Sequence, residues 1–116
     1  MQWLLAIYSV TYMMQFFYNG VEGRSRDEVH VQCGKNSEYT KSEVLRHNKP
    51  NNLWIIYGTN VFDVTEYYPD HPGGERMLRQ AGKNATTAIL NVPAHFPVRH
   101  LIISTLSKLC IGKVKD

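Results

Sequence analysis

Hydrophobic and polar positions divide the chain into three stretches. Residues 1–20 are mostly apolar and carry no charge, with six aromatic side chains: Trp3, Tyr8, Tyr12, Phe16, Phe17 and Tyr18. Residues 21–38 are polar, with three basic and four acidic side chains and no apolar period. Residues 39–116 carry all the strong periodic signals. The pattern predicts an apolar leader at 1–20, a polar linker at 21–38 and one compact module at 39–116.

Within the module, Thr40 followed three residues later by Glu43 has the form of a capping box. It predicts a short helix over 41–47, ended by the turn cluster Asn48-Lys49-Pro50-Asn51-Asn52. Residues 53–57 (Leu-Trp-Ile-Ile-Tyr) read as a buried strand, Gly58-Thr59-Asn60 as a turn, and Val61-Phe62-Asp63-Val64 as the returning strand of a hairpin. A helix is expected from Glu75 to Ala81, stopped at Gly82, and another, capped by Asn84 or Thr86, through Leu90. Pro97 suits the first turn of a last helix, on which Val98, Leu101, Ile102, Leu106 and Leu109 recur at helical spacing. Ile111-Gly112 then closes the module as a final strand beside the first. The expected class is α+β, a small mixed sheet with two helix pairs framing a pocket.

With 116 residues there is room for one domain and little else. A formal charge of +3 is too weak a bias to indicate nucleic acid. Two cysteines, Cys33 and Cys110, are too few for a disulfide scaffold or a Cys-rich zinc module. Cys110 reads as a buried hydrophobe, and nothing in the sequence supports a bond from it to Cys33. His30 and Cys33 would be half a zinc site, but the other half is missing nearby, which leaves a solvated loop. Nor do His30, His71, His95 and His100 have zinc-site spacing. No Gly-rich phosphate loop is present, so a flavin or nicotinamide reductase domain is excluded.

As a helix, residues 1–18 would be about 27 Å long against a hydrocarbon core of about 30 Å. The stretch lacks a basic flank and a convincing cleavage site. Membrane association through residues 1–18, as anchor or signal, is the expectation, against a helix docked on the module. The chain is then membrane-associated through its N-terminus or cytoplasmic. Asn84-Ala85-Thr86 fits the glycosylation acceptor pattern, which means nothing in a cytosolic module.

The candidate chemistry lies in two histidines. Pro72 biases His71 away from helix, and Gly73 and Gly74 allow a tight turn with no Cβ to obstruct a close-lying plane. His95 sits 24 residues later in a loop between Pro93 and Pro97. Each histidine is thus on a proline-flanked turn, and each turn joins a helix pair. A flat macrocycle whose iron takes two axial nitrogens fits a pocket between such pairs, whereas the absence of CxxCH excludes a covalently attached haem.

From Tyr39 through Gly112 the sequence resembles the cytochrome b5 family. The marks are Trp54, Val61-Phe62-Asp63-Val64, His71-Pro72-Gly73-Gly74, Ala81-Gly82, His95 and Ile111-Gly112. The resemblance implies a cytochrome b5-like fold holding haem b, iron protoporphyrin IX, non-covalently, with His71 and His95 as axial ligands. It implies an electron-transfer protein rather than an enzyme, shuttling single electrons between a separate flavin-type reductase and an acceptor. The alternative is a non-redox haem-binding module: a haem chaperone, sensor or partner-binding protein. The pocket is expected to be lined by Leu53, Val61, Val64, Tyr67, Leu78, Ile89, Val92, Ile102, Leu106 and Leu109, with Gly73 and Gly74 beside the cofactor. Each ligand is expected to place its other ring nitrogen on a backbone carbonyl of its own turn.

The chain also departs from the family. The interval from His95 to Gly112 is longer than usual, which makes His100 a rival ligand. On a helix, five residues correspond to about 140°, so the two cannot both face one iron; His95 is favoured because its distance from His71 matches the family. Ile89 and Cys110 stand where aromatics are usual. In place of an acidic ring about the pocket edge, this chain has Glu75-Arg76-Met77-Leu78-Arg79-Gln80, with Lys83 and Arg99 nearby. Ten basic and six acidic side chains give the module +4, which predicts an acidic or neutral acceptor protein.

Overall fold

The computed structural model describes residues 30–116. The leader at 1–20 and the first part of the linker lie outside the described residues. Among the described residues, no helix is long and apolar enough to cross a membrane.

Thr40 caps the first helix, α1 (Lys41–Leu45), as its sequence requires. The Thr40 hydroxyl accepts from the Glu43 N–H at 3.1 Å, and the Glu43 carboxylate accepts from the Thr40 N–H at 2.7 Å. These bonds to Thr40 hold the Glu43 carboxyl below its ordinary range. Thr40→Ala removes half of the reciprocal cap. It is expected to cost about 1 kcal/mol, measurable as a lower urea midpoint at an unchanged m-value.

Five strands form one sheet in the order β1-β5-β4-β3-β2. They are β1 (Glu38–Tyr39), β2 (Asn48–Lys49), β3 (Asn52–Tyr57), β4 (Asn60–Asp63) and β5 (Cys110–Val114). β3 and β4 make the expected hairpin, with Ile55 opposite Phe62 and Ile56 opposite Val61. β5 runs antiparallel to β4 and parallel to β1. The closing strand therefore lies beside the second predicted strand, not the first. Leu53, Val61, Phe62 and Val64 have no exposed surface. Both faces of the hairpin are covered, so its sequence is a continuous apolar run rather than an alternation.

The compact unit starts at Val31, earlier than the sequence pattern indicates. Val31 is buried, and its carbonyl accepts from the side-chain amide of Asn60, itself buried, at 2.7 Å. Lys113 N–H donates to the Ser37 carbonyl at 2.8 Å. Cys33 is bonded to Cys110 across 77 residues, with Cα atoms 5.5 Å apart. Cys110 is therefore buried but not a free hydrophobe, and Cys33 is no zinc ligand. Backbone bonds and one long-range covalent link hold this segment, and neither leaves a hydrophobic period in the sequence.

The helices after the hairpin are tighter than the pattern suggests. Tyr68–Asp70, Gly74–Gln80 and Pro93–Val98 are 3-10 helices, the second in place of the expected helix from Glu75 to Ala81. α2 (Thr86–Asn91) has Ala85 at its N-cap; Asn84 instead bonds Thr86 from one residue further out. α3 (Arg99–Leu109) starts after Pro97, which lies in the preceding 3-10 helix. Leu106 is buried, but Val98 and Leu101, predicted to share its face, are exposed. Val98 precedes the α-helical winding, and Leu101 is about 140° round the axis from Leu106.

Candidate functional site

His71 ends the 3-10 helix Tyr68–Asp70 in an extended conformation (φ −68°, ψ 123°), as a residue before proline should. The turn folds back at once, with the Gly74 N–H donating to the His71 carbonyl at 2.9 Å. Gly74 has φ +57°, a left-handed conformation that favours glycine. Gly73 lies against the imidazole: a Cβ there would be 2.7 Å from Cε1 and 3.1 Å from Nδ1 of His71. The two glycines therefore act differently, Gly74 by turning the chain and Gly73 by leaving space for the ring.

His95 projects from the 3-10 helix Pro93–Val98, where its N–H donates to the Val92 carbonyl at 3.0 Å. Its Nδ1 lies 2.9 Å from the Ile89 carbonyl in α2. A carbonyl can only accept, so Nδ1 carries a proton, which in the neutral ring leaves the lone pair on Nε2. The acceptor comes from the preceding helix rather than from the histidine's own turn. Arg99 braces the same loop, donating to the Leu90 carbonyl at 3.3 Å while its guanidinium lies 5.2 Å from the centre of the Phe96 ring.

The two imidazoles face each other with ring centres 6.5 Å apart and planes at 74°. Two nitrogens each about 2 Å from a shared metal, with about 1 Å from nitrogen to ring centre, place the centres about 6 Å apart. The observed spacing thus suits a single ion between the rings and is too wide for direct stacking. Burial first, and then the facing His95, push the His71 pKa below its ordinary value. Both causes favour the neutral ring, the form that donates a lone pair. His71 Nδ1 is buried without a hydrogen-bond partner among the described residues, unlike the expectation of a carbonyl in its own turn. The Tyr67 ring packs edge-on at 6.0 Å from that of His71.

His100, the rival candidate, is exposed near the start of α3, and it is His95 that faces His71. Of the predicted lining, Leu53, Val61, Val64 and Leu106 are buried. Tyr67, Leu78, Ile89, Ile102 and Leu109 are half-buried, and Val92 is exposed. Two contributions escaped the sequence pattern. Ile89 acts through its backbone carbonyl, which any residue type supplies. Arg99 was counted only as surface charge, although its position four residues after His95 was a usable signal. No group of three or more His, Cys, Asp or Glu side chains suited to a bare metal ion occurs among the described residues.

A family model described as cytochrome b5-like heme/steroid binding domain matches residues 40–115. A cytochrome B5-like protein of Arabidopsis thaliana is 39% identical over 77 residues, which are 66% of this chain and 63% of that protein. The NADH-cytochrome b5 reductase-like protein alnC of Emericella nidulans is 46% identical over 72 residues, 58% of this chain and 16% of that protein. The chain therefore spans less than two thirds of the length of either relative. Among solved structures, cytochrome b558 of Ectothiorhodospira vacuolata, a prokaryotic homologue of cytochrome b5, superposes with a TM-score of 0.63 at 29% identity. That match covers 68% of this chain and 99% of the other.

Proposed function

The chain belongs to the cytochrome b5-like haem/steroid-binding domain family, and on that premise we propose that it carries single electrons on a non-covalently bound haem b ligated by His71 and His95. The observation that supports this reading is the facing pair of imidazoles, 6.5 Å between centres. The site fits the group in two further respects. Ile89 fixes the tautomer of His95 so that Nε2 is free to ligate. Gly73 leaves the His71 ring unobstructed where a side chain would crowd it.

When bound, the haem supplies a one-electron couple at its iron. His71 and His95 would hold the group between them, and two imidazoles on its iron would leave no position for oxygen or substrate, in contrast to the open sites of metal-dependent catalysis. Leu53, Val64 and Leu106, which are buried, and Tyr67, Leu78, Ile89, Val92, Ile102 and Leu109 would line the pocket, whereas Val61 packs in a core cluster with Val44 and Ile56. In this reading electrons enter from a separate flavin-type reductase and leave to an acceptor protein. The relatives include proteins named cytochrome b5 and also longer enzymes such as an L-lactate dehydrogenase (cytochrome).

The test is the absorption spectrum of the haem-loaded protein, oxidised and then reduced with dithionite. A low-spin, six-coordinate spectrum in both states is expected. A high-spin or five-coordinate spectrum would overturn the carrier reading and favour a haem-handing or sensing module. Gly73→Ala is expected to weaken haem binding by about tenfold or more, because the His71 ring must move from its added Cβ; haem transfer to an apo-globin measures this. The basic surface predicts faster reduction of an acidic than of a basic acceptor protein at low salt, with the difference shrinking as salt rises. The reverse order would refute the surface argument without touching the ligands.

A further inference from the structure

The Cys33–Cys110 bond uses both cysteines of the sequence. Its presence matters beyond stability, because disulfides persist in oxidising compartments and are rare in a reducing cytosol. In such a compartment Asn84-Ala85-Thr86 is a glycosylation acceptor pattern that can be used. This is the only Asn-x-Ser/Thr triplet in the chain, and the structure leaves its asparagine on the surface while Ala85 is buried and Thr86 half-buried. Asn84 is exposed, between the 3-10 helix Gly74–Gln80 and α2.

The local geometry presents the asparagine amide in a defined way. On either side of it, the Ile56 N–H donates to the Lys83 carbonyl at 2.9 Å and the Ala85 N–H donates to the Ile56 carbonyl at 2.8 Å, which fixes the backbone against β3. The Thr86 hydroxyl accepts from the Gly58 N–H at 2.9 Å, so its own proton is left to donate to Asn84 Oδ1 at 2.6 Å. The Thr86 N–H donates to the same oxygen at 3.0 Å. Two donors on Oδ1 draw electron density from the amide and make its N–H protons more acidic. Nδ2 makes no hydrogen bond among the described residues and so remains available as a nucleophile.

We propose that Asn84 is an N-glycan acceptor and that the chain matures in an oxidising, glycosylating compartment. The donor is an oligosaccharide on a polyprenyl pyrophosphate. Nδ2 forms a bond to the anomeric carbon and loses one proton, while the bond from that carbon to the pyrophosphate oxygen breaks and the lipid pyrophosphate leaves as an anion. Residues 1–20 are uncharged and mostly apolar, in keeping with the expected role of this stretch as anchor or signal. No residue of the triplet belongs to the histidine site, so this inference stands or falls apart from the carrier reading.

The full chain, produced in an insect-cell host, tests it through two readouts. One is intact mass before and after peptide N-glycosidase. The other is the alkylation state of Cys33 and Cys110 trapped at lysis. The expected result is one glycan, lost on glycosidase treatment with conversion of Asn84 to Asp, and both cysteines protected from the alkylating reagent. Asn84→Gln and, with Asn84 intact, Thr86→Val should each lose the mass shift while keeping the haem spectrum of the parent. An unmodified Asn84 overturns the proposal whether the thiols are oxidised or free. So does a glycosidase-sensitive shift that persists in either variant.

Discussion

Replacing His71 or His95 with alanine will abolish the low-spin, six-coordinate spectrum in both oxidation states, whereas His100→Ala will leave it intact. His71 and His95 are the rings that face each other across 6.5 Å, and His100 is exposed. The effect on stability will also be large. A ligand at about 100 times its dissociation constant adds about 2.7 kcal/mol to the folded state. In a domain of this size each kcal/mol moves the melting temperature by about 4–8 °C, so losing the haem should lower it by more than about 10 °C. Thermal melts with and without haem check this: the parent should show the gap, and both ligand variants should lose most of it. A His100→Ala protein that lost the spectrum would reverse the ligand assignment.

Breaking the Cys33–Cys110 bond should be the most damaging change to the fold itself. The bond closes a loop spanning 77 residues, and restricting the unfolded chain over that length is worth about 4.5 kcal/mol in the loop-entropy account. That is a large part of the 5–15 kcal/mol, roughly, that holds a typical domain folded. The expected result is a marked fall in the urea midpoint of the parent when reductant is added. The Cys33→Ser/Cys110→Ser double variant should start at that lower midpoint and not respond to reductant. If the parent midpoint stays put after mass spectrometry has shown both thiols free, the residues from Val31 to Ser37 are held by their backbone bonds alone.

The features readable in advance share one property, that their cause lies within a few residues. The capping box needs only Thr40 and Glu43. The hairpin needs an apolar run, a short turn and a second run. The pre-proline constraint acts on His71 from the next residue. Where the reading failed, the cause came from far along the chain. Cys33 meets Cys110 only because β1 and β5 pair in parallel, and no local pattern encodes that. Val31 is buried by Asn60 and its neighbours, although its own surroundings read as linker. The winding over Gly74–Gln80 and Pro93–Val98 is a near-degenerate choice between hydrogen bonds three and four residues apart, which periodicity over so short a span resolves poorly.

The site shows the same division. The identity of the two histidines, their rigid turns and the need for glycine after His71 were determined by the sequence, through backbone sterics and spacing. The spacing of the sequence already favoured His95 over His100, and the tertiary structure places His95 opposite His71. It also chose the Ile89 carbonyl as the acceptor that sets the His95 tautomer, and recruited Arg99 as a brace. These outcomes depend on where α2 and the 3-10 helix of His95 lie against one another. Packing sets that arrangement, and a backbone carbonyl carries no side-chain signature by which a sequence could announce it.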